Sequence, residues 1–281
     1  MSIHLIADSC CDLTPELQQT LNMDFAALKI RIDNSVYVDD GSINIPHLLD
    51  EMTSHKEAAS SACPSPEDYA QYMRQYDECM VITLSSKLSG SYNAARIARD
   101  LVLEEFPNKK IHVFDSLSAS AGELRIALFV KSLIDSGENF EAIVMKTTHR
   151  INKMRTMFVL EDLGNLVKNG RLNKVTGIVA SILSLCPIMS DDGNGEVKMA
   201  AKARGMNNAL FKMVDMIAES TAGSVKRSIT LVLTYCNCPE RAGMVKKNIL
   251  ERCQAIKDVI MAPTGGLSTV YANNGGIIVA Y

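Results

Sequence analysis

The stretch Cys79-Met80-Val81-Ile82-Thr83-Leu84-Ser85-Ser86-Lys87-Leu88-Ser89-Gly90-Ser91-Tyr92-Asn93-Ala94-Ala95 decides the fold, because its period changes part-way along. Met80 to Leu84 is an apolar, partly β-branched run of strand length, whereas Ala94, Ala95, Ala98, Leu101 and Val102 recur at helical spacing. The hydroxyl-rich segment between them is a strand-to-helix loop. It places Ser89, Gly90 and Ser91 at a helix start, where unpaired amides and the positive end of the helix dipole favour a carboxylate or phosphate. Serine is also a preferred helix cap, so the local sequence leaves capping and anion binding both open.

The same strand-loop-helix pattern occurs on either side. His4 to Ala7 runs into Asp8-Ser9-Cys10-Cys11-Asp12-Leu13, after which Thr14 supplies a cap and Pro15 the first helical position. Ile111 to Phe114 ends in Asp115-Ser116, before a helix from about Ala121 to Ser136 that Gly137 closes. Strands alternating with helices imply an α/β fold with a mainly parallel sheet. Ligands of such sheets sit beyond the carboxyl ends of the strands, so Asp8-Ser9, Ser85 to Ser91 and Asp115-Ser116 are expected on one rim. Between the strands, Phe25 to Val38 reads as one or two short strands and Asp39-Asp40-Gly41 as a turn before a helix near Pro46. His55 to Cys63 reads as a polar loop. Ser65 then caps a helix with Pro66 at its first position, and Tyr69, Tyr72, Met73 and Tyr76 form a stripe suited to core packing.

From Asn139 onward the character changes, and the expected division is into α/β domains at 1–148 and 149–281. Phe140 to Asn152 reads as a helix, Met154 to Val159 as β-like, and Leu160 to Lys168 as a helix stopped by Asn169-Gly170. Val175 to Leu185 is an apolar helix or pocket wall. Cys186 to Ser190 and Glu196 to Ala200 bracket a hairpin turn, and Lys202-Ala203-Arg204-Gly205 opens a helix reaching about Ser220. A strand Ile229 to Tyr235, a helix Glu240 to Ile256 and a strand Gly276 to Tyr281 complete the second unit.

With 29 basic and 32 acidic residues, the net charge of −3 offers no general attraction to nucleic acid. The eight cysteines show no C-x-x-C pair, and the five histidines have no metal spacing, so no metal ligands are nominated. The first apolar segment is too short for a secretory signal, and reduced thiols point to a cytoplasmic protein. No stretch is long and apolar enough for a membrane span. There is no G-x-S-x-G elbow, no Ser-x-x-Lys pair and no Gly-Lys of a phosphate loop, so no catalytic residue is nominated. What remains is a set of neutral hydroxyls and two arginines, Arg171 and Arg204, in suggestive places. A guanidinium holds carboxylate or phosphate through paired hydrogen bonds, and the Val175 to Leu185 wall suits an apolar tail.

Taken in order, these segments resemble the DegV family of fatty-acid-binding proteins. The resemblance spans Ile6-Ala7-Asp8-Ser9, Ser61-Ala62-Cys63-Pro64-Ser65-Pro66, Ser85-Ser86-Lys87-Leu88-Ser89-Gly90-Ser91-Tyr92, Asp115-Ser116, Leu163 to Leu172, Pro187-Ile188-Met189 and Lys202-Ala203-Arg204-Gly205. It implies two α/β domains that bury the tail of a long-chain fatty acid such as palmitate. Carried over, Ser61 and Ser89 hold the carboxylate, Gly90 lends a helix-end amide, and Arg171 or Arg204 lies nearby. Where many members have His-Thr-Gly-Pro-Gly, the match is made to Tyr271-Ala272-Asn273-Asn274-Gly275-Gly276, so Tyr271 or Asn273 would replace the histidine. The resemblance implies a lipid carrier without a cofactor, some members being similar to carrier subunits that present the acid to a separate ATP-using fatty-acid kinase. Two other readings stay open: a lipid hydrolase or acyl-transferase using Ser89, and a lipid-sensing regulatory protein.

Overall fold

A computed structural model describes residues 3–55, 57–172, 185–224 and 228–281. Strand β1 (His4–Asp8), helix α1 (Pro15–Leu21) and strand β2 (Met23–Ala26) come first, and Thr14 caps α1 by accepting from the Leu17 amide at 3.2 Å. There follow β3 (Lys29–Ile32), β4 (Ser35–Val38), α2 (Ile45–Ser54), β5 (Ser60–Ala62) and α3 (Pro66–Met73). The first half ends with β6 (Glu78–Thr83), α4 (Ser91–Glu105), β7 (Lys110–Asp115), α5 (Ala121–Asp135) and α6 (Phe140–Lys153). The strand-to-helix switch at residues 85–90 is where the period change places it. Ser65 caps α3 through a full capping box with Asp68, as the Ser-Pro-Glu-Asp run leads one to expect.

Strands β2, β1, β6 and β7 form a four-stranded parallel sheet in that order. A separate antiparallel sheet, β4-β3-β5, includes three residues expected as loop: Ser61 of β5 pairs with Ile30. The second half contributes β8 (Thr156–Val159), α7 (Gly164–Lys168), β9 (Leu185–Asp191), β10 (Val197–Arg204), α8 (Met206–Thr221), β11 (Ile229–Tyr235), α9 (Pro239–Arg252), β12 (Ile256–Pro263), α10 (Gly266–Ala272) and β13 (Ile277–Ala280). Its sheet runs β10-β9-β8-β13-β11-β12, with only β11 and β12 parallel. The β9–β10 hairpin lies where Asp191 to Gly195 signals it.

Three readings of the second half need correction or restriction. Lys202 to Arg204 continues β10 in register with β9, and the helix opens only at Met206 after Gly205 turns the chain at φ +76°. The helix expected to reach Ile256 stops at Arg252, and β12 and α10 follow it. The apolar segment Val175 to Leu185 lies outside the described residues except for Leu185, the first residue of β9.

Helix α5 is sandwiched between the two larger sheets. Leu124, Ile126, Ala127 and Val130 share one core with Met80 and Ile82 of the parallel sheet and with Val232, Ala262 and Ala280 of the mixed sheet. Each of the larger side chains contributes roughly 1.5–3 kcal/mol by burial. Position 148/149 falls inside α6, whose Ile143 and Ile151 join this same core. On the other face of the parallel sheet, Ala94, Ala95 and Ala98 let α4 lie close against Ile6, Val81 and Val113. The start of α4 is thereby set above the strand ends. No helix among the described residues is long and apolar enough to cross a membrane.

Candidate functional site

The three loops beyond β1, β6 and β7 converge. Asp8 accepts the Leu84 amide at 2.9 Å, Asp115 accepts the Ser86 amide at 3.1 Å, and the Ser85 amide donates to the Ser118 carbonyl at 2.7 Å. The β9–β10 turn closes over them, because the Ser85 hydroxyl donates to the Gly195 carbonyl at 2.8 Å. Gly195 has φ +91°, and a Cβ there would lie 2.3 Å from Ser85 Oγ. Only glycine fits such an approach.

Between these loops and the second sheet lies a cavity of about 370 Å³. Leu28, Leu84, Leu88, Leu117, Phe158, Leu160, Leu166, Val197, Leu267 and Ile278 give it long apolar walls. One part of the rim is different. Ser61 Oγ and Tyr271 Oη are 2.9 Å apart, and Ser89 Oγ accepts the Ser91 amide at 3.2 Å while lying 3.1 Å from Ser91 Oγ. Each hydroxyl pair uses one of its two hydrogens internally; the Ser61–Tyr271 pair has the other free for a ligand, and Ser89 has its own free when Ser91 donates to it rather than to Asp8. Gly90 is the N-cap of α4, and a Cβ on it would come 3.0 Å from Cys63 Sγ. Arg171 binds back to the same loop, donating from Nε to the Leu88 carbonyl at 3.0 Å and from a terminal nitrogen to Asn169. Ser61, Ser89, Gly90, Arg171 and Tyr271 thus line one cavity.

Arg204 and Asn273 are not among its lining residues. Arg204 is exposed at the end of β10, paired with Leu185. Asn273 ends α10 at φ +54° and donates to the Asp162 carbonyl, lining a separate polar depression with Asp50 and Asn237. The part of this region that does reach the cavity begins earlier, with Leu267, Ser268, Tyr271 and Ala272 of α10. Residues 271–276 hold no Thr-Gly step; the C-terminal part of the chain has one just before α10, at Thr264-Gly265, with Pro263 in front and no histidine.

Sequence reasoning quoted Asp12 and Asp39 without giving them work. Both are buried, and both cap α10 from the far end of the chain. Asp12 accepts the Gly265 amide at 2.8 Å, and Asp39 accepts those of Gly266 and Leu267 at 2.9 Å each. Burial raises Asp12 to about 7 and Asp8 to about 6, and raises Asp39 above the usual carboxylate range. Ser120 Oγ donates to Asp12 at 2.5 Å, and the Ser118 and Thr156 hydroxyls pair at 2.7 Å. These other hydroxyls of the cavity are committed to internal bonds. No histidine lines the cavity among the described residues.

A family model described as "uncharacterised protein, DegV family" matches residues 2–281. The chain belongs to the DegV family. A DegV protein from Ruminococcus gnavus, solved with vaccenic acid, is 41% identical and superposes with a TM-score of 0.94, with all of both chains covered. The fatty acid kinase B3 protein of Streptococcus pneumoniae, loaded with linoleic acid, is 33% identical with a TM-score of 0.89, covering 100% of this chain and 99% of that one. A DegV family protein from Eubacterium eligens, loaded with heptadecanoic acid, is 29% identical with a TM-score of 0.88, covering 99% of each chain. The DegV resemblance carried by the ordered motifs and the mixed α/β architecture are thus both found.

Proposed function

We propose that the chain binds one long-chain fatty acid of the palmitate class, with its tail along the leucine walls and its carboxylate at the Ser61, Ser89, Gly90 and Tyr271 end. The observation that carries this reading is the joining of a hydroxyl-and-amide rim to a long apolar cavity, in a DegV chain whose relatives were solved with C17 and C18 acids. Burying about a dozen methylenes at roughly 0.8 kcal/mol each yields on the order of 10 kcal/mol before the costs of association. The tail supplies affinity and the rim supplies direction. Arg171 adds positive charge at that rim without having to form a buried pair.

The chain acts as a non-catalytic carrier, and the likeness to the fatty acid kinase B3 protein supports presentation of the acid to a separate ATP-using kinase. The acyl-transferase reading is weaker because Ser89 Oγ is engaged by Ser91 and, among the described residues, hydrogen-bonds no histidine, lysine or carboxylate. Residues before and after α6 both contribute walls to the cavity, and no cofactor enters this reading. All eight cysteines are free, which favours a cytoplasmic protein.

Native mass spectrometry of the purified chain tests the proposal. A one-to-one adduct with palmitate, lost on denaturation, is the expected result. A chain that carries no acyl group and takes up no palmitate would sink it.

A further inference from the structure

Behind the cavity wall lies a group of side chains that lipid binding does not use. Asp8 ends β1, Cys10 follows in the loop, and Glu123 is in the first turn of α5; they are 0, 3 and 0% exposed. One ligand atom from each lies within 4.8 Å of the others. Asp8 is already oriented, its two oxygens accepting the amides of Cys10 at 3.1 Å and Leu84 at 2.9 Å. Glu123 has no such backbone support: neither of its buried carboxylate oxygens makes a well-formed hydrogen bond, and the groups close enough to share a proton with it are Asp8 and Cys10 themselves. Nor does any lysine or arginine among the described residues pair with either acid. A second observation comes from α3, where the Tyr69 hydroxyl is equally buried and unpartnered, and burial first, then the Asp8 and Glu123 carboxylates, push its pKa up. Two acids and a thiol gathered out of water, with no countercharge, must be neutralised either by protons or by a cation that joins them.

We propose that Asp8, Cys10 and Glu123 bind a single divalent cation of the zinc class, which clamps the end of β1 to the start of α5. Two carboxylates and a thiolate suit zinc, or cobalt in its place, better than magnesium or calcium, which take oxygen ligands. Cys10 also lines the cavity, so an ion can enter from that side. Binding replaces protons by the metal. The Cys10 thiol gives up its proton to solvent, as does whichever carboxyl of the Asp8–Glu123 pair is protonated, and water completes the coordination shell. The clamp would brace two cavity walls, since Cys10 and Ser120 flank its two ends.

The test uses the full chain, stripped with a chelator and then titrated with cobalt. The expected result is one cobalt per chain, an intense thiolate-to-cobalt charge-transfer band in the near ultraviolet, proton release, and a rise in melting temperature that a chelator reverses. Cys10→Ser should abolish the band, and Glu123→Gln should weaken cobalt at least tenfold. The wild-type spectrum stands even where a variant fails to fold. The proposal is overturned if wild-type chain shows no band and retains no metal through gel filtration. It is equally overturned if the band survives Cys10→Ser. A third contrary outcome is an infrared carboxylic-acid stretch that zinc leaves unchanged and Glu123→Gln removes, which would make the pair a shared-proton couple.

Discussion

Helices α10 and α4 both have a glycine N-cap, and their starts are used in opposite ways. At α10 the amides of Gly265, Gly266 and Leu267 are closed by Asp12 and Asp39, carboxylates drawn from the first forty residues. At α4 the N-cap is Gly90, the first helical amide goes to the neutral hydroxyl of Ser89, and no carboxylate of the described residues accepts from that turn. The favourable place for negative charge is filled from within the chain in one case and left to face the cavity in the other. A buried start satisfied by the protein's own acids serves stability. A start ringed by hydroxyls serves a ligand.

Crowding separates the two most strongly. A Cβ on Gly266 would come 2.5 Å from Asp39 Oδ1 and 2.6 Å from Ile43, so Gly266→Ala should destabilise by about 3 kcal/mol in denaturant unfolding. A Gly266→Ala protein as stable as wild type would break the comparison. Next in size is Asp39→Asn, which leaves at least one α10 amide unpaired and should cost about 2 kcal/mol.

The same site makes a statement about pH. Burial raises the Asp39 carboxyl, so the folded chain holds its proton more tightly than the unfolded chain. The stability it adds is therefore present at low pH and is lost as pH rises from the ordinary carboxylate value through the raised one. Unfolding measured across that window should fall less steeply with rising pH in Asp39→Asn than in wild type.

Smaller effects belong to the open start. Ser89→Ala should weaken palmitate binding about fivefold, near 1 kcal/mol, with little change in melting temperature. Calorimetric titration reads it, and a loss of stability instead would make Ser89 a structural cap. Least of all, Gly90→Ala meets only the Cys63 thiol, which can turn aside, so stability should shift by less than about 0.5 kcal/mol.

The difference between these starts also explains what could be read in advance. The β6 run, the switch at Ser85, the Thr14 and Ser65 caps and the glycine-closed hairpin are local, and each is written in neighbouring residues. Ser61 and Ser89 come from the order of the motifs and line the same cavity as Tyr271. By contrast, the caps of α10 join Asp12 and Asp39 to residues more than two hundred positions away. No local pattern signals them. Strand β5 is only Ser60-Ser61-Ala62, paired with Lys29 to Arg31 from a distant strand, and Lys202-Ala203-Arg204-Gly205 reads as a helix opening although the helix starts after it. A strand edge and a helix start share that small-residue signature.

The most direct test of the open start is a crystal structure of the chain with palmitate, in which the carboxylate can be located. The expected result is a carboxylate within hydrogen-bond reach of the Ser61 and Ser89 hydroxyls beside Gly90, with the chain running along Leu28, Leu117 and Phe158. A carboxylate at the opposite end of the cavity, with the terminal methyl against Ser89, would contradict it.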